Sequence, residues 1–147
     1  FKQKTAYEML RSLVGSEMCI RDRNAPVVLS PLMSARSKIE TSERNMEIAG
    51  IMASRGVLVA ISTDGFSQSA RWLSINAGLC IRYGMKEEDA FKAVTINPAK
   101  IIGMADRVGS IEKGKDADII ITDGHPFETR THVLTVIIDG VVRYLGN

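Results

Sequence analysis

The run Val57–Gly65 constrains most strongly what this chain can fold into. It opens with five apolar residues without polar alternation, which is typical of a strand buried on both faces in a parallel sheet. Ser62, Thr63 and Asp64 follow at the C-terminal end, where barrels and doubly wound sheets carry their chemistry. Asp64 is therefore the first candidate catalytic residue. The alternative is an Asx turn that closes the strand, with Gly65 supplying a positive φ.

The segments around this run predict a βαβ crossover followed by further helices. Val27–Leu29 predicts a short strand, and apolar residues at helical spacing predict a helix over 42–55. Strand, helix and strand in this order indicate a parallel, right-handed unit. Two more helices are expected over 70–83 and 86–95, and then a short helix that Asn97 caps.

The last forty or so residues have a different, β-rich pattern. Apolar runs over 118–122 and 133–144 predict strands, and Asp139-Gly140 interrupts the second run. An Asp-Gly pair between apolar runs is a strong signal for a tight hairpin. We therefore expect antiparallel strands here, distinct from the preceding βα part.

The first 23 residues are expected to be foreign to the protein. Lys2–Glu8 and Ser12–Arg23 back-translate into the two constant parts of a sequencing-library adapter, in frame and separated by the length of a sample index. Such scars are set aside before fold reasoning. The alternative is an amphipathic helix, because apolar residues within 6–13 have helical spacing. On the adapter interpretation the native sequence begins near Asn24, and any targeting signal is left open.

Composition and charge exclude several classes of partner. The formal net charge is +2 and charged residues make up 24% of the chain, which is too small and too mixed a charge to indicate nucleic acid or a membrane surface. Outside residues 1–23 the only cysteine is Cys80, which fits a reducing compartment, so we expect a cytoplasmic protein. We expect no nucleic-acid or membrane partner, and leave open a homo-oligomer of the complete protein.

Three blocks of the sequence resemble the C-terminal part of the metal-dependent amidohydrolase superfamily, and most closely its imidazolonepropionase-like branch. They are Val57–Asp64, Glu88–Gly103 with its Asn-Pro-Ala-Lys motif, and Val108–Ile120 with its Gly-Lys-Asp-Ala-Asp motif. The resemblance implies an α/β fold, made of the last two βα units of a (β/α)₈ TIM barrel and the C-terminal strands of a small β-sandwich.

This resemblance also implies a division of the chain. Residues 1–23 would be adapter-derived, residues 24–104 would belong to the barrel, and residues 105–147 would belong to the sandwich. The chain would then be a C-terminal fragment of a longer enzyme. We expect the fragment alone to be inactive, since most of the metal ligands would lie in the missing N-terminal part.

A reaction and a site follow from the same resemblance. It implies a metal-dependent hydrolase that acts on non-peptide C–N bonds of a small molecule, with a divalent metal and zinc as the first choice. Asp64 matches the family aspartate that ends the last barrel strand, contacts the metal and shuttles protons. A metal lowers the pKa of bound water towards ~7, and a nearby carboxylate can move the proton to the leaving amine. Arg36 and Lys38, after the preceding strand, are candidate substrate-binding cations.

The chain also departs from the family pattern. The family binds its metal with several histidines, whereas this chain has only His125 and His132, both in the sandwich part, and we expect neither to be a ligand. Gly65 stands where many relatives carry a histidine. Two other hypotheses therefore remain: a non-enzymatic α/β binding module in which Asp64 only closes a turn, and an amidohydrolase-like protein that has lost its metal site.

Overall fold

A computed structural model describes residues 17–29, 46–63 and 70–146. These residues form a short parallel sheet covered by helices, and a separate antiparallel sheet follows along the chain. The helices are α1 (Glu17–Asp22), α2 (Ile48–Ser54), α3 (Leu73–Arg82, after a 3₁₀ turn over Ala70–Trp72), α4 (Glu87–Val94) and α5 (Ile96–Ile101). The strands are β1 (Val27–Leu29), β2 (Val59–Ile61), β3 (Ile119–Thr122), β4 (Val133–Ile138) and β5 (Val141–Leu145).

Strands β1 and β2 pair in parallel, as the sequence predicts. Val27 lies opposite Val59, and Leu29 lies opposite Ile61. Strand β2 is shorter than the apolar run that starts at Val57. The N–H of Val57 donates to the carbonyl of Met52 at 3.1 Å, so Val57 belongs to the turn that ends α2. The whole of β2 is buried, which explains why its sequence shows no alternation.

Small side chains let the helices pack closely around β2. Ala77 and Cys80 on α3 are fully buried. A Cβ added to Gly50 on α2 would lie 2.9 Å from the backbone nitrogen of Met85, so only glycine permits this approach. Burial raises the pKa of the Cys80 thiol to about 11, which keeps it neutral and makes it a small apolar core residue.

The C-terminal residues form the predicted antiparallel sheet, in the order β3-β4-β5. The hairpin between β4 and β5 turns at Asp139 and Gly140, whose φ angles are +51° and +70°. Two positive φ angles are what a tight type I′ hairpin requires, and Asp-Gly tolerates them. The hairpin prediction is confirmed.

The predicted cap at Asn97 is wrong. The helix α5 already begins at Ile96, so its N-cap is Thr95 and Asn97 lies inside its first turn. The side chain instead reaches a strand carbonyl far away in sequence. A local pattern of asparagine before proline cannot distinguish these two uses of the amide.

Only part of the segment 1–23 falls within the described residues. It forms α1, on which Met18 and Cys19 are exposed and Ile20 packs partly against the core. None of the described helices is both long and apolar enough to cross a bilayer. The origin of residues 1–23 stays a prediction.

Candidate functional site

The candidate site lies at the edge where the two parallel strands end. The N–H of Ser62 donates to the carbonyl of Leu29 at 2.9 Å, so the pairing continues one residue beyond β2. Thr63 is only 8% exposed. Asp64 comes directly after this buried residue in the chain, but it lies outside the described residues. The structure therefore describes the chain up to Thr63, and the role of Asp64 stays a prediction.

The other two candidate site residues also lie outside the described residues. Arg36 and Lys38 belong to the segment 30–45, which follows β1 along the chain. Because β1 and β2 are parallel neighbours, the segments after them start at the same edge of the sheet. This arrangement is the one that α/β proteins use to collect site residues from different loops. A substrate-binding role of the two cations stays a prediction.

A side chain from α5 holds β2 on the edge that does not face β1. The Nδ2 of Asn97 donates to the carbonyl oxygen of Val59 at 2.8 Å. Val59 is 1% exposed, so this carbonyl is buried and needs a protein donor. The bond ties a helix to the strand that leads towards Asp64.

His125 docks the loop between β3 and β4 onto α4. Its Nε2 lies 3.1 Å from Oε1 of Glu87, and its Nδ1 accepts the N–H of Phe127 at 3.3 Å. The neutral ring therefore carries its proton on Nε2 and donates it to Glu87. The ring also contacts Phe91 and Phe127 edge-on, at centroid distances of 5.4 and 5.3 Å. These contacts give His125 a docking role.

His132 is engaged by Asp123. The backbone N–H of His132 donates to Oδ1 of Asp123 at 2.8 Å, and its Nδ1 lies 3.1 Å from Oδ2. The two bonds hold the pKa of Asp123 below its ordinary value. The pair is exposed on the surface of the sheet module, at the end of the loop that His125 docks.

The part of the chain that the structure describes does not by itself form a metal centre. Across 17–29, 46–63 and 70–146, the histidines, cysteines and acidic residues form no group of three or more that could hold a metal ion. The candidate ligand Asp64 lies outside those ranges.

A groove of about 710 Å³ separates the helices from β3. Leu73, Phe91 and Phe127 contribute apolar surface to it, and Asp116 contributes a carboxylate. That carboxylate is already paired, since Nη2 of Arg107 lies 2.6 Å from its Oδ2. Phe127 lines the groove and also contacts the ring of His125, so the groove adjoins that docking contact.

Sequence patterns missed the residues that join these parts. Asn97 and Val59 are 38 residues apart, and so are Glu87 and His125. The one local signal was Gly78, because a glycine inside a predicted helix marks a close approach. A Cβ at Gly78 would lie 2.7 Å from the carbonyl oxygen of Phe127.

The chain is similar to known amidohydrolases over almost its whole length. The model of the Amidohydrolase family matches residues 8–143. The imidazolonepropionase of Brevibacillus brevis is 42% identical over 101 residues, 62% of this chain and 24% of that protein. The imidazolonepropionase of Clostridium tetani is 36% identical over 107 residues, 65% of this chain and 25% of that protein. The structure of an amidohydrolase from Thermotoga maritima is 39% identical, with a TM-score of 0.87 over 93% of this chain and 36% of that one.

The described helices and strands define an α/β protein with a short parallel sheet. The chain belongs to the amidohydrolase family, whose model matches well over half of its residues. It spans about a quarter of the length of the curated relatives it matches.

Proposed function

We propose that the complete protein containing this chain is a hydrolase that acts on non-peptide C–N bonds of a small molecule. Membership of the amidohydrolase family carries this proposal. The buried strand β2 supports it, because it leads directly to Asp64 at the strand end where such folds carry their chemistry.

The fold of the complete protein is proposed in the same way. Residues 24–104 would supply the last two βα units of a (β/α)₈ barrel, and residues 105–147 would supply strands of a small β-sandwich. The parallel pairing of β1 with β2 and the change to antiparallel pairing from β3 onward support this division. Residues 1–23 would be adapter-derived, although the match to the family model begins at residue 8 and Ile20 packs partly against the core.

Asp64 is proposed as the catalytic carboxylate. It would accept a proton from the attacking water and deliver it to the leaving amine, as general acid–base catalysis requires. A divalent metal, with zinc as the first choice, would be bound by Asp64 and by ligands outside the described residues. The described residues offer no such ligand group of their own.

The substrate is proposed from the relatives and from charge. The two relatives described above are named as imidazolonepropionases, and this name indicates an enzyme that acts on a propionate, which carries a carboxylate. Arg36 and Lys38 would suit such an anion because both are cations. Both belong to the segment that follows β1 along the chain. A cytoplasmic location, the lack of nucleic-acid and membrane partners, and a homo-oligomer of the complete protein stay predictions.

Turnover by the full-length protein tests the proposal. Imidazolonepropionate would be supplied to the metal-replete protein and to protein stripped with a chelator, with bound metal measured in both. Hydrolysis that is lost with the metal and restored by adding it back supports the proposal. Binding of the compound without hydrolysis by metal-replete protein would favour the binding module, and a full-length protein that holds no metal would favour a lost site.

A further inference from the structure

The motif Gly114–Asp118, Gly-Lys-Asp-Ala-Asp, connects the segment after α5 to β3. Each of its three charged side chains already has a partner. Lys115 bonds to the preceding turn, Asp116 to the segment after α5, and Asp118 to the turn between β4 and β5. The motif therefore joins three parts of the chain, all of them within the described residues 70–146.

Asp116 joins the motif to the segment that follows α5. Its backbone N–H donates to the carbonyl of Arg107 at 2.8 Å, and Nη2 of Arg107 donates to its Oδ2 at 2.6 Å. The hydrogen bond and the charge of Asp116, together with the carboxylates of Asp106 and Asp139, raise the pKa of Arg107. Since Asp139 belongs to the turn between β4 and β5, the charge of this turn also acts on Arg107.

Lys115 binds the turn that precedes the motif. Its Nζ donates to Oγ of Ser110 at 2.5 Å and lies 3.3 Å from Oε1 of Glu112, and its side chain is only 11% exposed. The neighbouring Gly109 packs on α5, since a Cβ there would lie 2.8 Å from Cβ of Ala99. The bonds of Lys115 thus fix the start of the motif to a turn that already packs on a helix.

The other end of the motif holds the turn between β4 and β5. The N–H of Asp139 donates to Oδ1 of Asp118 at 2.9 Å, and the N–H of Gly140 donates to the carbonyl of Ala117 at 3.2 Å. Both donors lie in the two-residue turn, outside the paired residues of the β4–β5 ladder. The motif therefore supplies the acceptors that these two N–H groups need.

We propose that the motif Gly114–Asp118 is a clamp that makes the β4–β5 turn and the segment after α5 open as one cooperative unit. Asp116 and Asp118 also line the groove beside β3, but both carboxylates are already engaged in these bonds. The two ends of the clamp share the consecutive residues 116–118, so a shift at one end displaces the acceptors or donors of the other. Proteins open locally in such contiguous units. This inference does not depend on the reaction that the complete protein catalyses.

Amide hydrogen exchange of the full-length protein, measured peptide by peptide, tests the clamp. Asp118→Ala removes the acceptor of the N–H of Asp139, whereas Asp118→Asn keeps a side-chain oxygen in the same place. Arg107→Ala breaks the clamp from the other end. Its side chain is 59% exposed, so this variant keeps the test available if Asp118→Ala does not fold. Lys113→Ala is the matched control, because it removes an exposed charge beside the motif and leaves these bonds in place.

Peptides over 105–112 and 136–142 report on the two ends of the clamp. Asp118→Ala should speed exchange over 136–142, where its bond is lost, and by a similar factor over 105–112. Arg107→Ala should also speed exchange at both ends. The factor should be roughly 2- to 13-fold, the range expected for the loss of one hydrogen bond. Asp118→Asn and Lys113→Ala should match the wild type. Unchanged exchange, or a change confined to the end where the substitution lies, in Asp118→Ala or Arg107→Ala would overturn the inference.

Discussion

Replacing Gly78 by alanine should loosen the loop between β3 and β4, which packs against the helices. The new Cβ would lie 2.7 Å from the carbonyl oxygen of Phe127 and 3.5 Å from its Cβ. The first distance is shorter than a real contact allows, and the opposing atom belongs to the backbone. The loop must therefore move away from α3, which strains the docking contacts of His125 with Glu87 and of Phe127 with Phe91.

Two effects of this substitution oppose each other. Glycine to alanine inside a helix stabilises the helix by about 1 kcal/mol. Overpacking at a tight contact costs about 1–3 kcal/mol, and this cost falls on the docked loop. Since about 1.4 kcal/mol is a factor of ten, opening of the loop should increase roughly 5- to 150-fold. The helix should open no more readily than before.

Hydrogen exchange followed by mass spectrometry measures both effects in one experiment. Peptides covering 123–132 should exchange faster in Gly78→Ala, whereas peptides of α3 should exchange at the wild-type rate or more slowly. Ser74→Ala, one turn earlier on the same face of α3, is the control and should leave the loop unchanged. Unchanged exchange over 123–132 in Gly78→Ala would refute the inference that the close approach of Phe127 to Gly78 keeps this loop docked.

Two further predictions concern the C-terminal sheet. The pKa of Asp123 is lowered by its bonds from His132, so the stabilisation it gives is present above the ordinary pKa of an aspartate and is lost as the pH falls through the lower, folded value. The urea concentration at the unfolding midpoint should therefore decrease as the pH is lowered below about 4. Asp123→Asn should flatten this part of the pH dependence, and an unaltered pH profile in this variant would contradict the assignment. The sheet also exposes large apolar side chains such as Ile120, Val142 and Leu145, so the chain by itself should bind a hydrophobic dye and self-associate. A monodisperse chain without dye binding would count against this expectation and favour an independent module.

The strands could be predicted because their signals are local. The apolar run ending at Ile61 needs no alternation in a strand buried on both faces, and the structure buries all of β2. Asp139-Gly140 marks its hairpin because the turn itself requires two positive φ angles. In both cases the residue types and the backbone conformation depend on the same few neighbours.

The contacts that position the site could not be predicted in this way. Asn97 precedes a proline, so its local pattern indicates a cap, whereas its amide bonds to Val59. His125 could not be assigned to Glu87 for the same reason, since only the packed fold brings the two together. The chemistry proposed for Asp64 came from the resemblance of the chain to a family. Its neighbours in sequence alone allowed a simple turn as well.

The turnover of the full-length Asp64→Asn enzyme tests the central claim most directly. Asparagine is isosteric with aspartate and can still close a turn with Gly65, so the melting temperature should change little. The amide cannot accept and return a proton, so kcat should fall at least ~10²-fold, the scale of lost general acid–base catalysis. If Asp64 only closes a turn, turnover stays normal and any cost appears in stability, within about 1 kcal/mol. Normal turnover in a metal-replete Asp64→Asn enzyme would contradict the catalytic assignment.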